Sequence, residues 1–154
     1  MVAFSIFRKN YFMKKIFILL LAIYTTYSYS QTPIWKKEQM MPTKELADKI
    51  NSNLNPKEKP LILNVGPMDL IKSSIEVGRA TSVTGIEKIK STVAWENKSR
   101  TIVVYCGCCS YASCPNIKPA YDALINAGFK NAKVLELPVG IREDWVAKGY
   151  PMEN

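Results

Sequence analysis

Apolar residues recur along the chain with two spacings, and the alternation of these spacings predicts alternating strands and helices. Short, continuous apolar runs predict buried strands at 61–65, 101–105 and 133–137. Helical spacing predicts helices at 43–52, 85–94, 115–127 and 142–148. Strands that alternate with helices indicate an α/β domain with a mainly parallel sheet.

Local signals refine the helix ends. Thr84 and Glu87 have the spacing of a capping box, which predicts a helix start at Thr84. Pro115 suits a first helical turn, and Gly128 suits the position just after a helix. The residues expected to face the core are Leu46, Ala47, Ile50, Ile86, Ile89, Val93 and Trp145.

The first thirty residues have the order of a secretory signal peptide. Lys14 and Lys15 precede the apolar run 16–23, and Ser28 and Ser30 stand at the −3 and −1 positions before Gln31. Met13 can serve as the true start, and an uncleaved N-terminal anchor is the alternative. Cleavage predicts a periplasmic or secreted protein with no stable membrane span.

What remains after cleavage is long enough for one domain. We divide it into a lead-in with the first helix at 31–58 and the remainder of the domain at 59–154. The formal net charge is +8, and the four cations of the predicted signal peptide supply half of it. The other cations are scattered and form no basic block, so a nucleic-acid partner is not expected.

Candidate chemistry is concentrated in one stretch. Residues 101–116, TIVVYCGCCSYASCPN, hold all four cysteines of a chain that has no histidine. Cys106 follows a predicted strand directly, and the loop ends at a predicted helix N-terminus, where ligand sites of parallel sheets form and anions are stabilised. We therefore expect a lowered pKa at Cys106. The lack of histidine excludes Cys-His and Ser-His-Asp catalysis.

Four stretches together resemble the rhodanese-like family over about 43–152. They are LILNV at 61–65, TIVVYC at 101–106, KPAYDALINAGFKNAKVLEL at 118–137 and GIREDWVAKGYP at 140–151. The resemblance implies an α/β fold with a mainly parallel central sheet flanked by helices on both faces. It places Cys106 where the family forms a persulfide, and so implies a sulfurtransferase that takes sulfur from a small donor such as thiosulfate and passes it to a thiol acceptor, with no required cofactor.

The chain also departs from the family pattern. Family members often carry Asp and Arg after the first apolar strand, where this chain has Asn64 and Gly66. The cysteine loop is several residues longer than usual and has no arginine, and Lys118 is the nearest cation that could replace it. The candidates for stabilising a bound anion are Gly107, Ser110, Asn116 and Lys118.

Three interpretations remain open for Cys108, Cys109 and Cys114. Cys108 or Cys109 could form a disulfide with Cys114 after export. Cys109, three residues after Cys106, could resolve a persulfide or mixed disulfide. All four thiols, Cys106 included, could instead bind copper or zinc in a module without turnover. A catalytically inactive, partner-binding domain is a further alternative.

Overall fold

The computed structural model describes residues 34–67 and 71–153, so the predicted signal peptide lies outside the described residues. Five strands form one sheet in the order β1-β5-β4-β2-β3, and every pairing is parallel. The strands are β1 (Met40–Met41), β2 (Leu61–Asn64), β3 (Ser74–Glu76), β4 (Ile102–Tyr105) and β5 (Ala132–Leu135). The predicted α/β class with a parallel sheet is confirmed.

Four α-helices and two short 3-10 helices accompany the sheet in the described part of the chain. The α-helices are α1 (Thr43–Asn51), α2 (Val83–Thr92), α3 (Ile117–Asn126) and α4 (Ile141–Asp144). The 3-10 helices span Lys37–Gln39 and Val146–Lys148. None of the described helices has the length and apolar character needed to cross a membrane.

The sheet separates two hydrophobic cores because side chains on a strand alternate between its faces. In β4, Ile102 and Val104 pack into one core with residues of α2 and α3. Val103 and Tyr105 pack into the other core with residues of α1 and with Trp145. Both faces of the sheet are therefore covered, which explains why every residue of β2 and β4 is buried and why all of them except Asn64 are apolar.

The main strand and helix predictions are confirmed, with shifts at some ends. The first predicted helix matches α1, and Leu46, Ala47 and Ile50 are buried as expected. The third predicted strand corresponds to β5, which starts one residue earlier and ends two residues earlier than predicted. Gly128 follows α3 with a positive φ of 91°, as its predicted position requires. Trp145 is completely buried, as expected.

The predicted capping box is wrong. Helix α2 begins at Val83, and its N-cap is Ser82, whose hydroxyl accepts a hydrogen bond from the Gly85 N–H at 3.1 Å. Ser82 outcompetes Thr84 because a cap must precede the first helical residue. Ile86, which was expected to face the core, is half-buried and packs against the edge of the core.

Two further boundaries differ. Helix α3 begins at Ile117 and leaves Pro115 outside, because Cys114 and Ser113 close a turn onto the Ser110 carbonyl. The predicted helix 142–148 is two short helices interrupted at Trp145, whose indole N–H donates to the Pro151 carbonyl at 3.0 Å. The edge strands β1 and β3 were not predicted, since two or three residues are too few to establish an apolar pattern.

Candidate functional site

Cys106 lies at the carboxyl edge of the sheet, directly after β4. Its side chain is only 1% exposed, because the turn after β2 closes over it. A methyl group at Gly66 would lie 2.6 Å from the Cys106 sulfur and 3.0 Å from the Gly107 nitrogen. Asn64 holds this turn by accepting a hydrogen bond from the Gly66 N–H at 2.9 Å. The two departures from the family pattern thus form a tight turn against the cysteine.

The thiols of Cys106, Cys108 and Cys109 are in mutual contact. The Cys106 sulfur lies 3.2 Å from that of Cys108 and 3.9 Å from that of Cys109, and the Cys108 and Cys109 sulfurs are 3.4 Å apart. Cys114 joins Cys106 and Cys109 in a group whose sulfurs all lie within 4.8 Å of one another. All four cysteines are free thiols, and the predicted disulfide stays a prediction.

Backbone contacts fix the loop that carries these thiols. The Tyr111 N–H donates to the Leu137 carbonyl at 3.1 Å, which ties the loop to the chain just after β5. The Cys114 N–H donates to the Ser110 carbonyl at 3.1 Å. Asn116, which is buried, accepts hydrogen bonds from the Thr81 N–H and hydroxyl, and so holds the start of α3 against the segment before α2.

The thiolate of the cluster is centred on Cys114 rather than on Cys106. A hydrogen bond from the Cys106 thiol lowers the pKa of Cys114 to about 6, assisted by the backbone N–H groups of Asn116 and Ile117 at the start of α3. The same hydrogen bond, together with burial, raises the pKa of Cys106. Burial and a hydrogen bond with Cys108 raise the pKa of Cys109 to about 12. The expected lowered pKa at Cys106 is therefore wrong, because Cys114 is closer to the helix N-terminus.

An open pocket of about 400 Å³ adjoins the loop. Of the four cysteines, only Cys108 lines it, and Cys108 is also the exposed one. The pocket is completed by Gly107 and by the turn and first residues of α4: Val139, Gly140, Ile141, Arg142 and Glu143. A molecule entering this pocket therefore meets the Cys108 thiol, while the Cys106 thiol lies behind it.

Arg142 is a site residue that the sequence analysis missed. It was considered only as part of a helix, yet its place after β5 brings it to the same edge of the sheet as the loop after β4. Loops after neighbouring parallel strands meet at one edge, and this rule was the signal available to find it.

A buried carboxylate shapes the far wall of the pocket. One oxygen of Asp144 accepts hydrogen bonds from the N–H groups of Val139 and Gly140, at 2.7 and 2.9 Å. Asp144 itself is only 7% exposed. A carboxylate that accepts hydrogen bonds from two backbone N–H groups fixes the turn that precedes Arg142.

The predicted anion-stabilising residues do not all reach the pocket. Gly107 lines it, whereas Ser110 bonds to Ser113 within the loop at 3.0 Å. The backbone N–H of Asn116 faces the Cys114 sulfur. Lys118 is largely exposed and forms an ion pair with Asp122 at 2.6 Å. Their roles toward a bound anion remain predictions.

Comparisons with known proteins are consistent with this architecture. No family model matches the chain, and no curated protein matches it at a significant level. Among solved structures, the Alr3790 protein from Anabaena sp. is similar at 22% identity with a TM-score of 0.53, covering 74% of this chain and 91% of that one. The single-domain sulfurtransferase RDL2 from Saccharomyces cerevisiae is similar at 14% identity with a TM-score of 0.50, covering 74% and 93%. The chain thus has a rhodanese-like fold, as predicted.

Proposed function

From a rhodanese-like fold with a thiol at the end of β4, we propose that this protein is a sulfurtransferase that carries sulfur as a persulfide on Cys106. The observation that carries the proposal is the contact between two thiols of different exposure. Cys106 is buried at the strand end, and Cys108, 3.2 Å away, lines the open pocket. The similarity in fold to a single-domain sulfurtransferase supports the same chemistry.

The donor reacts first with the thiol it can reach. The Cys108 thiol loses its proton to water as its sulfur attacks the outer sulfur of thiosulfate, the sulfur–sulfur bond of the donor breaks, and sulfite leaves with the electron pair. The Cys106 thiol then passes its proton to the Cys114 thiolate, to which it is hydrogen-bonded, and its sulfur attacks the outer sulfur of the Cys108 persulfide, which releases the Cys108 thiolate. An acceptor thiolate later removes that sulfur from Cys106 and completes a two-step, ping-pong cycle.

The pocket has the features that such a donor needs. Arg142 supplies a fixed positive charge beside Cys108, and an arginine can hold two oxygens of an anion at once. Gly107 allows the loop backbone to approach the donor. Glu143 also lines the pocket, so the charge there is mixed, and a small anion bound against Arg142 fits better than a highly charged one.

Persulfide formation is tested by mass spectrometry. The reduced protein incubated with thiosulfate should gain one sulfur atom, which peptide mapping should locate on Cys106. Cys108→Ser should load much more slowly, and in Cys106→Ser any sulfur gained should lie on Cys108, with none stored at position 106. Cys109→Ser is the matched control and should load normally: the Cys109 sulfur contacts those of Cys106 and Cys108, but Cys109 does not line the pocket and no step of the transfer passes through its sulfur.

Other results would contradict the proposal. A mass lower by two hydrogens, with a disulfide between Cys106 and Cys108, would indicate a thiol redox protein instead of a sulfurtransferase. A wild-type protein that gains no sulfur from thiosulfate or from a persulfide donor would leave the inactive, partner-binding domain as the better interpretation.

We further propose that the protein acts outside the cytoplasm after removal of residues 1–30.

A further inference from the structure

Three thiols outside the pocket converge from different positions along the loop between β4 and α3. Cys106 comes from the end of β4, Cys109 from the middle of the loop and Cys114 from the turn before α3. Their sulfurs lie within 4.8 Å of one another. Cys108 is not a member of this group, although its sulfur touches those of Cys106 and Cys109. The group is thus selected by the fold and not by the sequence spacing.

The spacing of the sulfurs matches that of a metal ion bound in a trigonal plane. Metal–thiolate bonds are about 2.3 Å long, so three sulfurs around a trigonal ion lie about 4.0 Å apart. The Cys106 and Cys109 sulfurs are 3.9 Å apart, and no pair in the group exceeds 4.8 Å. Side-chain movements of less than about an ångström would bring all three into contact with one ion.

The donor set favours a soft ion of low coordination number. Thiolates select Cu(I) and zinc over harder ions. Structural zinc requires four ligands in a tetrahedron. The chain has no histidine, and the group found among the described residues contains three thiols and no carboxylate. Cys108 contacts two of these sulfurs but lines the open pocket and is not in the group whose sulfurs are all within 4.8 Å of one another. Three sulfurs in mutual reach suit Cu(I) better than zinc.

The surroundings also suit an anionic metal–thiolate centre. Cys106 and Cys114 are buried, and Cys109 is half-buried, so solvent has limited access to the ion. The backbone N–H groups of Asn116 and Ile117 point at the Cys114 sulfur and offset the negative charge that three thiolates bring.

We propose that Cys106, Cys109 and Cys114 bind one Cu(I) ion in a three-thiolate site. Each ligand that still carries a proton releases it to water on binding, and no electron is transferred. The proposal is independent of sulfur transfer, although the two share Cys106. Bound Cu(I) should therefore prevent persulfide storage on Cys106, and the site would make sulfur transfer sensitive to copper.

The test is an anaerobic titration of the reduced protein with Cu(I) in competition with a chromophoric Cu(I) chelator. One ion should bind per chain, and X-ray absorption should show three sulfur ligands at about 2.3 Å. Cys106→Ser, Cys109→Ser and Cys114→Ser should each weaken binding at least about tenfold. Cys108→Ser is the matched control, with the same chemical change in the same loop, and should keep the wild-type affinity.

The two single variants separate this proposal from the proposed function. Cys109→Ser should lose Cu(I) binding and keep sulfur loading, whereas Cys108→Ser should show the reverse. The three-thiolate site would be overturned if Cys108→Ser weakened Cu(I) binding as much as the other variants, if four sulfurs coordinated zinc more tightly than Cu(I), or if no ion bound in competition. Thermal unfolding of each variant identifies any loss caused by misfolding.

Discussion

At the scale of single residues, the cysteine site depends on a position that has no side chain. Gly66 approaches the Cys106 sulfur so closely that the chain can pass there only without a Cβ atom. Its φ angle is ordinary, so the requirement is one of space and not of backbone conformation. A residue as large as the arginine of many family members could not occupy this turn.

We expect Gly66→Ala to disturb the site directly. The new methyl group would meet the Cys106 sulfur at 2.6 Å and the Gly107 backbone at 3.0 Å, so the loop must move. The free energy of unfolding should fall by about 1 to 3 kcal/mol, as in other overpacked sites, and sulfur loading should slow. Chemical denaturation and the thiosulfate reaction followed by mass measure the two effects.

The matched control is Gly78→Ala. A Cβ at Gly78 meets nothing within 4 Å, although the positive φ of 76° makes the substitution cost about 1 kcal/mol. This variant should lose stability without losing sulfur loading. Equal loading by both variants would show that the contact of Gly66 with Cys106 has no part in the chemistry.

The residue scale also decides which sulfur holds the negative charge. Cys106 and Cys114 share a hydrogen bond, and only one of them can be its ionised acceptor. Cys114 takes that role because the N–H groups at the start of α3 add to the hydrogen bond from Cys106. The ionised thiol could be identified only from the positions of Cys106 and Cys114 relative to α3. The spacing of the cysteines along the sequence does not specify those positions.

At the scale of elements, two connections between strands and helices line the pocket. The loop between β4 and α3 supplies the thiols, and the connection between β5 and α4 supplies Arg142. A backbone hydrogen bond, from the Tyr111 N–H to the Leu137 carbonyl, ties the two connections together. The geometry of the pocket therefore depends on the turn that Asp144 holds.

We expect Asp144→Ala to loosen this turn. The substitution leaves the N–H groups of Val139 and Gly140 without their carboxylate acceptor, and Gly140 is buried. The free energy of unfolding should fall by about 2 kcal/mol, as for other hydrogen bonds to charged groups. The KM for thiosulfate should rise more than kcat falls, because Arg142 loses its position. Denaturation and steady-state kinetics measure these changes.

Asp122→Ala is the control for removing a carboxylate. Asp122 forms an exposed ion pair with Lys118, and such pairs contribute little, so stability should change by no more than about 0.5 kcal/mol. An unchanged KM in Asp144→Ala would indicate that Arg142 does not bind the donor.

At the scale of the whole molecule, the predicted export determines the redox environment of the four thiols. Thiols outside the cytosol tend to be oxidised, so a protein acting there must have its cysteines reduced, loaded or metal-bound to keep them from forming disulfides. Both sulfur storage on Cys106 and Cu(I) binding by the three-thiolate group would have this effect.

We expect the protein isolated from its native source to begin at Gln31. The charged, apolar and small-residue order of positions 14–30 is that of a cleaved signal peptide. Intact-mass measurement on cell fractions tests this, with the mature protein expected outside the cytoplasm. A full-length chain in the cytosol would contradict export, and a full-length chain in the membrane would indicate a retained anchor.

Much of the fold could be predicted because its main elements have strong local patterns. All residues of β2 and β4 except Asn64 are apolar, because the sheet is covered on both sides. Helix α1 has one apolar face, because it is covered on one side. The edge strands β1 and β3 have two and three residues. They are strands only because longer neighbours pair with them, and pairing leaves no pattern in so short a segment.

The sequence alone therefore determined the class of fold and the place of Cys106, because a strand, a loop and a helix N-terminus follow one another along the chain. The tertiary structure decided which thiols meet, which one holds the charge and that Arg142 shares a pocket with Cys108. These relations join residues on different connections, and the order of strands in the sheet sets their distances. Local periodicity reports how each segment packs, but not which segments become neighbours.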